Sequence, residues 1–312
     1  MTAAEVPATA PAPLVSIVIP TRNGASTLPA LLQAIRRQHV DFGFEVVAID
    51  STSTDGTRRL LDGRVDRVLS VEPAEFDHGL TRNLGIEQAC GELVVLIVQD
   101  AEPADEHWLA ALVAPLRADP TVAGSFARQI PRGDAGALTR RYHARWPAAS
   151  ATPRAVSVAS PAAFDALTPF EQFDLCIFDN VCSCIRRTVW VSLQFQPSPI
   201  AEDLAWARDV LRSGGRLAFA PAALVIHSHE RSARYELART YVLHRRLYQL
   251  FGMRTIPSLF ALGQSVAASL LTHARTELSI RSLALAFAWP LGQYLGGLSA
   301  RRGWTLARVR GV

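Results

Sequence analysis

The sequence predicts an α/β protein built on a mainly parallel sheet, and three observations carry that expectation. Apolar, β-branched runs of strand length alternate with segments of helical period, the order in which βα units are laid down. Three of those runs end in polar clusters: Ile19-Pro20-Thr21-Arg22-Asn23, Ile49-Asp50-Ser51 and Val98-Gln99-Asp100. A further acidic pair, Glu202-Asp203, follows much later in the chain. Open α/β sheets bind ligands where their buried parallel strands end, so these clusters outline a ligand site.

Val15 to Ile19 is the first expected strand. Leu28, Leu31, Leu32 and Ile35 then set a helical period over Thr27 to Gln38, with Ser26 as its cap. Phe44 to Ile49 is the second strand, Thr57 to Leu61 a helix after the Asp55-Gly56 turn, and Val65 to Val71 the third strand. Leu80 to Ala89 reads as a helix closed by Gly91, Leu93 to Val98 as a strand buried on both faces, and Asp105 to Leu116 as an amphipathic helix. Between Gly133 and Thr168, Ala, Pro, Ser and Arg dominate without strong periodicity, and a mobile connection or lid is expected. Order resumes at Phe173, with a strand at Val181 to Ile185 and a helix from Asp203 to Ser213 stopped by Gly214-Gly215. Two short strands follow, Leu217 to Ala220 and Leu224 to Ile226.

The sheet domain is therefore expected over residues 14–234, between a disordered tail over 1–13 and a helical C-terminal region over 235–312. Tyr241, His244, Leu247, Tyr248 and Phe251 give that last region its period. Ser282 to Ser299 is largely uncharged, but Pro290 and three glycines interrupt it, and it sits at the margin of the about 20 apolar residues a spanning helix needs. Three readings stay open for it: peripheral contact with a membrane, an ordinary helical appendage, or a homodimer interface.

Composition narrows the function classes. All 32 basic residues of the 312-residue chain are arginines, whose planar forks grip phosphate in bidentate fashion. The net charge of +4 is modest and no basic stripe is interleaved with aromatics, so nucleic acid is not an expected partner. Cys90, Cys176, Cys182 and Cys184 lack the paired spacing of a structural zinc site, and buried reduced thiols are expected. Met1 to Pro13 has neither a basic start nor an apolar core, which argues against a signal peptide and for a cytoplasmic protein, with peripheral contact at the inner face of the plasma membrane as the extension of that reading.

An ordered set of motifs adds a family resemblance. Ser16-Ile-Val-Ile-Pro-Thr-Arg-Asn23, Glu45-Val-Val-Ala-Ile-Asp50-Ser, Thr81-Arg-Asn-Leu-Gly85 with Ala89-Cys-Gly91, Gln99-Asp-Ala and Glu202-Asp203 together resemble glycosyltransferase family 2. Phe76-Asp-His-Gly79 and His227-Ser-His229 resemble further its bacterial rhamnosyltransferase branch. The resemblance covers residues 14–232. It implies the GT-A nucleotide-diphospho-sugar transferase fold, a Rossmann-like mixed, mainly parallel sheet, here with a C-terminal helical appendage. It also implies inverting transfer of a sugar, L-rhamnose from dTDP-rhamnose, to a polysaccharide or lipid-linked glycan. The partners so implied are a dTDP- or UDP-sugar donor, a glycan or lipid-linked acceptor, and Mg2+ or Mn2+.

Residue by residue, the resemblance assigns Asp50 to the imide N–H of the base, with Pro20, Thr21, Arg22, Asn23 and Ser51 around base and ribose. Arg82 and Asn83 face the diphosphate or base. Gln99 and Asp100 stand where the family has Asp-x-Asp; Val98 replaces the first acid, so Asp100 alone remains for the cation, with His227 or His229 as a further ligand. Asp203 is the general base, an inverting transfer needing one carboxylate for the acceptor hydroxyl. Glu202 touches the acceptor or orients its loop, Asn180 and Trp206 belong to the sugar side, and Arg186 shares the Asn180 segment. Plainer readings stand beside these: a turn carboxylate for Asp50, a surface ion pair for Arg82, a capping pair for Glu202-Asp203, and core packing, the favoured reading, for Trp206. A sugar-nucleotide pyrophosphorylase would want a Gly-rich basic loop where this chain has Thr21-Arg-Asn-Gly-Ala-Ser26. A non-catalytic, membrane-docked assembly subunit is the remaining alternative, motivated by Val98 and the apolar C-terminal tract.

Overall fold

A computed structural model describes residues 13–304. The tail expected over residues 1–13 lies, but for Pro13, outside the described residues. The elements run β1 (Val15–Thr21), α1 (Leu28–Arg36), β2 (Phe44–Asp50), α2 (Thr57–Leu61), β3 (Arg67–Ser70), α3 (His78–Glu87), β4 (Leu93–Ile97), β5 (Glu102–Pro103), α4 (Trp108–Ala118) and β6 (Val122–Ile130). They continue with α5 (Ala137–His143), β7 (Arg154–Val156), α6 (Pro161–Asp165), α7 (Pro169–Leu175), β8 (Cys182–Arg186), α8 (Arg187–Ser192), α9 (Glu202–Arg212), β9 (Arg216–Ile226), α10 (Ala233–Phe251), α11 (Leu259–Thr276) and α12 (Ile280–Arg301).

One sheet holds the strands in the order β3-β2-β1-β4-β8-β6-β9-β5, with β7 also paired to β9. β1 to β4 are mutually parallel, β8 is antiparallel to both β4 and β6, and β6 is parallel to β9. Two reversals cancel, so β1, β2, β4, β6 and β9 all point the same way and their carboxyl ends share one edge. The sheet is buried on both faces because alternate side chains leave on opposite sides. Ile17, Ile19, Leu93 and Val95 join Leu28, Leu31, Trp108 and Leu112 on one face. Val18, Val94 and Leu96 join Ile86, Trp190 and Trp206 on the other. Strands covered on both sides must be apolar throughout, which is why β1 and β4 read as unbroken runs.

Several expectations are corrected. The cap of α1 is Thr27 rather than Ser26. α3 starts at His78, two residues early, because the Asp77 carboxylate accepts from the Gly79 and Leu80 amides at 2.9 and 3.0 Å. Gly91 does not close α3, which ends at Glu87; it lets the chain pass β1, since a Cβ there would lie 2.6 Å from the Ser16 nitrogen. The two short strands expected at Leu217 and Leu224 are one strand, β9, with a register irregularity opposite Ala127 and Arg128. β6 was not foreseen, because Val-Ala-Gly-Ser-Phe-Ala carries little apolar bulk and becomes a strand through its neighbours β8 and β9. The 133–168 stretch is not a structureless lid: it forms α5, a 3-10 turn at Pro147–Ala149, β7 and α6, pinned by buried Leu138, Ala148 and Phe164. Isolated anchors of this kind leave no period to read. Cys90 is exposed, while Cys176, Cys182 and Cys184 are buried, and all four are free.

The C-terminal helices rest on the same body, with Leu247 and Phe251 of α10 in the sheet core and the Phe173 and Phe251 rings 6.3 Å apart. Glycines that looked like interruptions are the seam between α10 and α12. A Cβ on Gly292 would come within 2.9 Å of the Leu237 carbonyl oxygen, and one on Gly296 within 2.4 Å of that of Tyr241. Among the described residues no helix is long and apolar enough to cross a membrane. Gly296→Val should therefore force α10 and α12 apart and cost about 1–3 kcal/mol in chemical denaturation. Gly263→Ala in α11, where nothing lies within 4 Å, should be neutral or stabilising in the same assay.

Candidate active site

The shared carboxyl edge gathers Thr21 and Arg22 after β1, Asp50 and Ser51 after β2, Gln99 and Asp100 after β4, Arg132 after β6 and His227 after β9. Antiparallel β8 brings Asp179 and Asn180, just before its start, to the same edge. Among the described residues, the non-glycine residues at positive φ are Asn23 (48°), Thr52 (51°) and Ala201 (61°). Each lies in a loop carrying candidate site residues, and each such conformation costs on the order of 1 kcal/mol, so the surroundings must hold it.

On the β1–β2 side, Asp50 is 3% exposed. Its carboxylate accepts from Thr21 Oγ1 (3.3 Å), Ser53 Oγ (2.5 Å) and the Ser53 amide (3.1 Å), which is the work of a turn carboxylate. Asn23 donates its amide to Ser53 Oγ (2.8 Å) and accepts from the Thr54 amide (2.9 Å). Ser51 donates its amide to the Thr21 carbonyl at 2.8 Å. Gln99 grips the Arg22 backbone at both ends, accepting from its amide at 2.8 Å and donating to its carbonyl at 2.9 Å. Gly24 is required beside that clamp, because a Cβ would meet Gln99 Oε1 at 2.4 Å. The Arg22 side chain is left exposed, next to Pro20 and Thr21. One hydrogen-bonded run thus joins Asp50 to the residue preceding Asp100.

Beyond it lies a carboxylate with two imidazoles. His227 Nε2 is 3.8 Å from Asp100 Oδ1 and His229 Nε2 is 3.4 Å from Asp100 Oδ2, and one ligand atom from each of the three falls within 4.8 Å of the others. Ligands of one small divalent cation lie roughly 3–4 Å apart, so the trio is dimensioned for one. Burial, more than the Asp100 charge, sets the His227 pKa and pushes it down to about 3; burial and then Arg231 lower that of His229. Both rings are neutral at neutral pH and carry a lone pair. His227 Nδ1 meets Gln129 Oε1 at 2.9 Å, and Gln129 Nε2 donates to Asp179 Oδ2 at 2.5 Å. Both Asp179 oxygens accept, Oδ1 from the Val181 amide at 2.9 Å and Oδ2 from Trp146 Nε1 at 3.4 Å, so the Gln129 amide faces that carboxylate with nitrogen and His227 with oxygen. His227 Nδ1 then carries the proton, and the lone pair on Nε2 faces Asp100. Arg132 donates to the Asp100 carbonyl and, through its amide, to Ser228 Oγ at 3.0 Å, pinning the His-Ser-His segment.

Asp203 sits at the start of α9, partly exposed, accepting from the Asn180 amide at 3.2 Å and the Leu204 amide at 2.8 Å. Burial, then the negative charges of Glu202 and Asp179, raise its pKa well above the usual aspartate value. Glu202, one residue away, behaves oppositely: it too is buried, but Arg82 and His78 outweigh that and lower its pKa. Its carboxylate lies 3.0 Å from Arg82 Nη1 and accepts from Asn180 Nδ2 at 3.2 Å.

These contacts correct the readings of Arg82, Glu202, Asn83 and Asn180. Arg82 forms neither a surface pair nor an open phosphate fork; it is buried against Glu202 and the His78 carbonyl. Glu202 faces that arginine rather than a sugar. Asn83 spends its amide on Trp190 Nε1 (2.8 Å) and on the backbone of Phe195, anchoring the loop after α8 rather than a nucleotide. Asn180 is consumed by Glu202 and Ser183, and Trp206 is core, donating to the Leu193 carbonyl at 2.9 Å and packing on Phe178 and Phe195. Arg186 is at the opposite edge, paired with Glu92 at 3.1 Å. The residues that sequence reasoning missed are Gln129, Arg132 and Asp179. Gln129 lies in β6 and Arg132 just beyond it, a strand with no sequence period of its own, and Asp179 carries no motif to mark it.

Comparison with known proteins follows the same lines. The sequence model of glycosyl transferase family 2 matches residues 16–189. The chain is 30% identical over 231 residues to the O-antigen chain rhamnosyltransferase RfbN of Salmonella typhimurium, covering 73% of this chain and 70% of that one. It is 28% identical over 235 residues to the O-antigen chain rhamnosyltransferase WbaN of Salmonella anatum, with the same coverage. Among solved structures, the mannosyltransferase PcManGT of Pyrobaculum calidifontis, in complex with GDP-Man and Mn2+, aligns at TM-score 0.52 and 21% identity over 95% of this chain and 77% of that one. Glucosyl-3-phosphoglycerate synthase of Mycobacterium tuberculosis, with Mg2+ and UDP, aligns at 0.54 and 20% over 79% and 81%. The GT-A fold expected from the motifs holds.

Removing the arginine from the buried Arg82–Glu202 pair leaves a carboxylate without its counter-charge. Arg82→Met should cost about 3–5 kcal/mol in urea denaturation, and Arg82→Met/Glu202→Gln should recover most of it.

Proposed function

The chain belongs to glycosyl transferase family 2, and on that premise we propose that it is an inverting, metal-dependent rhamnosyltransferase. It moves L-rhamnose from dTDP-rhamnose to a hydroxyl of a polysaccharide or lipid-linked glycan. The observation that carries the reading is the placement, on one sheet edge, of a proton-hungry carboxylate, Asp203, and the Asp100-His227-His229 trio, with the Asp179-Asn180 segment between them: the Asn180 amide donates to Asp203, and Asp179 accepts from Gln129, which meets His227. Two relatives named as O-antigen chain rhamnosyltransferases support the sugar and the polysaccharide class.

Asp203 takes the proton of the acceptor hydroxyl as that oxygen attacks the anomeric carbon opposite the departing diphosphate. Its raised pKa brings its basicity closer to the working pH than an ordinary aspartate allows. Asp100, His227 and His229 would hold a divalent cation, which would supply positive charge against the leaving diphosphate. A mixed nitrogen and oxygen donor set suits Mn2+ better than Mg2+, which prefers oxygen. Arg132 and Arg231, whose charges bear on His229, offer forks to the phosphate oxygens, and Arg22 lies exposed beside the expected base and ribose. Two imidazoles beside Asp100 answer the loss of the first acid at Val98, and so weigh against the motive that Val98 gave for a non-catalytic subunit.

Release of dTDP from dTDP-rhamnose by the purified protein tests the reading; turnover of UDP-sugars alone would overturn the donor. Asp203→Asn should lower turnover by about 10²- to 10⁴-fold, and undiminished turnover would remove Asp203 as the base. A raised folded pKa penalises the ionised form, so the penalty is absent below the unfolded aspartate pKa and complete above the folded one. Asp203→Asn should thus raise the Tm at neutral pH, with the gain vanishing in acid, while wild-type activity falls with pH at a higher value than a free aspartate would give.

Mn2+ binding, followed by electron paramagnetic resonance without donor or acceptor, should weaken about 10- to 100-fold in Gln129→Leu, which releases His227 Nδ1. Unchanged affinity in both Gln129→Leu and His227→Ala would exclude the trio as the cation site.

A further inference from the structure

We propose that the outer face of α11 and α12 docks this protein on an anionic lipid bilayer. The charge of the chain is segregated. Residues 233–312 hold 11 of the 32 basic residues and 2 of the 28 acidic ones, so a net +4 divides into +9 there and −5 over the rest. No charged residue occurs in α11 between Leu259 and Thr272.

α12 has two apolar faces and only one is covered. The glycine seam turns to α10, while Ile280, Phe287, Leu291 and Leu295 recur near helical spacing on the other side, with Ile280 89% exposed. Phe260 of α11 and Leu278 of the connecting turn extend that exposure, at 77% and 75%. Arg275 lies at one end of the α11–α12 hairpin and Arg301-Arg302, beside half-exposed Trp304, at the other, about 33 Å apart along a helix of this length.

Exposed apolar side chains concentrated on two successive helices mark an interaction site. A second copy laid face to face would bring the same arginines together with scarcely an acid to meet them. An anionic bilayer satisfies both features: the apolar stripe enters the acyl boundary and the arginines meet the headgroups. The helices lie on the surface, since none among the described residues is apolar and long enough to span it. The start of α12 also touches the site, because Arg281 donates to the Arg231 carbonyl at 3.2 Å and pairs with Glu230. Docking therefore holds the carboxyl edge of the sheet close to the lipid surface, whichever sugar is transferred.

Flotation of the purified full chain with vesicles of phosphatidylcholine, with and without phosphatidylglycerol, tests this. The protein should float with the phosphatidylglycerol vesicles and be released by salt. Phe287→Glu/Leu291→Glu and Arg301→Glu/Arg302→Glu should each weaken partitioning roughly tenfold or more, with dTDP release in solution unchanged. Flotation that ignores phosphatidylglycerol, or that both variants leave intact, overturns the proposal. A vesicle-free dimer abolished by Phe287→Glu/Leu291→Glu would assign the face to a second copy instead. Release of dTDP is scored separately, so failure of the reaction and failure of docking are distinguishable.

Discussion

β6 and β9 run parallel to each other and, across the single antiparallel strand β8, parallel to β1, β2 and β4. That alignment is the constraint on which the rest of the structure depends, because it sends every functional loop to one edge. Had β8 been parallel to β4, with β6 still antiparallel to it, Gln129 and His227 would face away from Asp100. Backbone pairing sets the direction, and a few side-chain bonds then set the separation: Gln99 closes on Arg22, Gln129 on His227, and Asp179 on Gln129.

Within that edge, opposite environments divide adjacent acids. Glu202 and Asp203 are chain neighbours at one helix start, yet one meets Arg82 and the other meets carboxylates. Environments that push two titratable groups apart are how acid and base roles are separated in a site. Arg82 has its effect through Glu202: by holding it ionised, the arginine keeps a negative charge beside Asp203 and leaves Asp203 as the group with an unmet demand for a proton.

The C-terminal helices show how a local irregularity becomes a packing device. Gly292 and Gly296 weaken the case for a spanning segment, and the same missing Cβ atoms allow α12 to lie against α10. Bringing the small residues inward leaves the large ones, Phe287 and Leu291 among them, outside.

The sequence by itself determined the βα alternation, the strands β1, β2 and β4, and the presence of Asp50, Asp100 and Asp203 at element ends. These are local properties, since a strand buried on both faces must be apolar over its whole length and a functional acid must sit where it stops. β6 was illegible because Gly124, Ser125 and Ala127 have no period of their own. The roles of Arg82, Asn83 and Asn180 were misassigned for a related reason: a residue type announces what it can bind, not what it faces. Only the tertiary structure decided that Arg82 meets Glu202 and that Gln129 orients His227. Those pairings join residues far apart in the chain, and a hydrogen bond depends on separations of a few tenths of an ångström that no spacing in the sequence encodes.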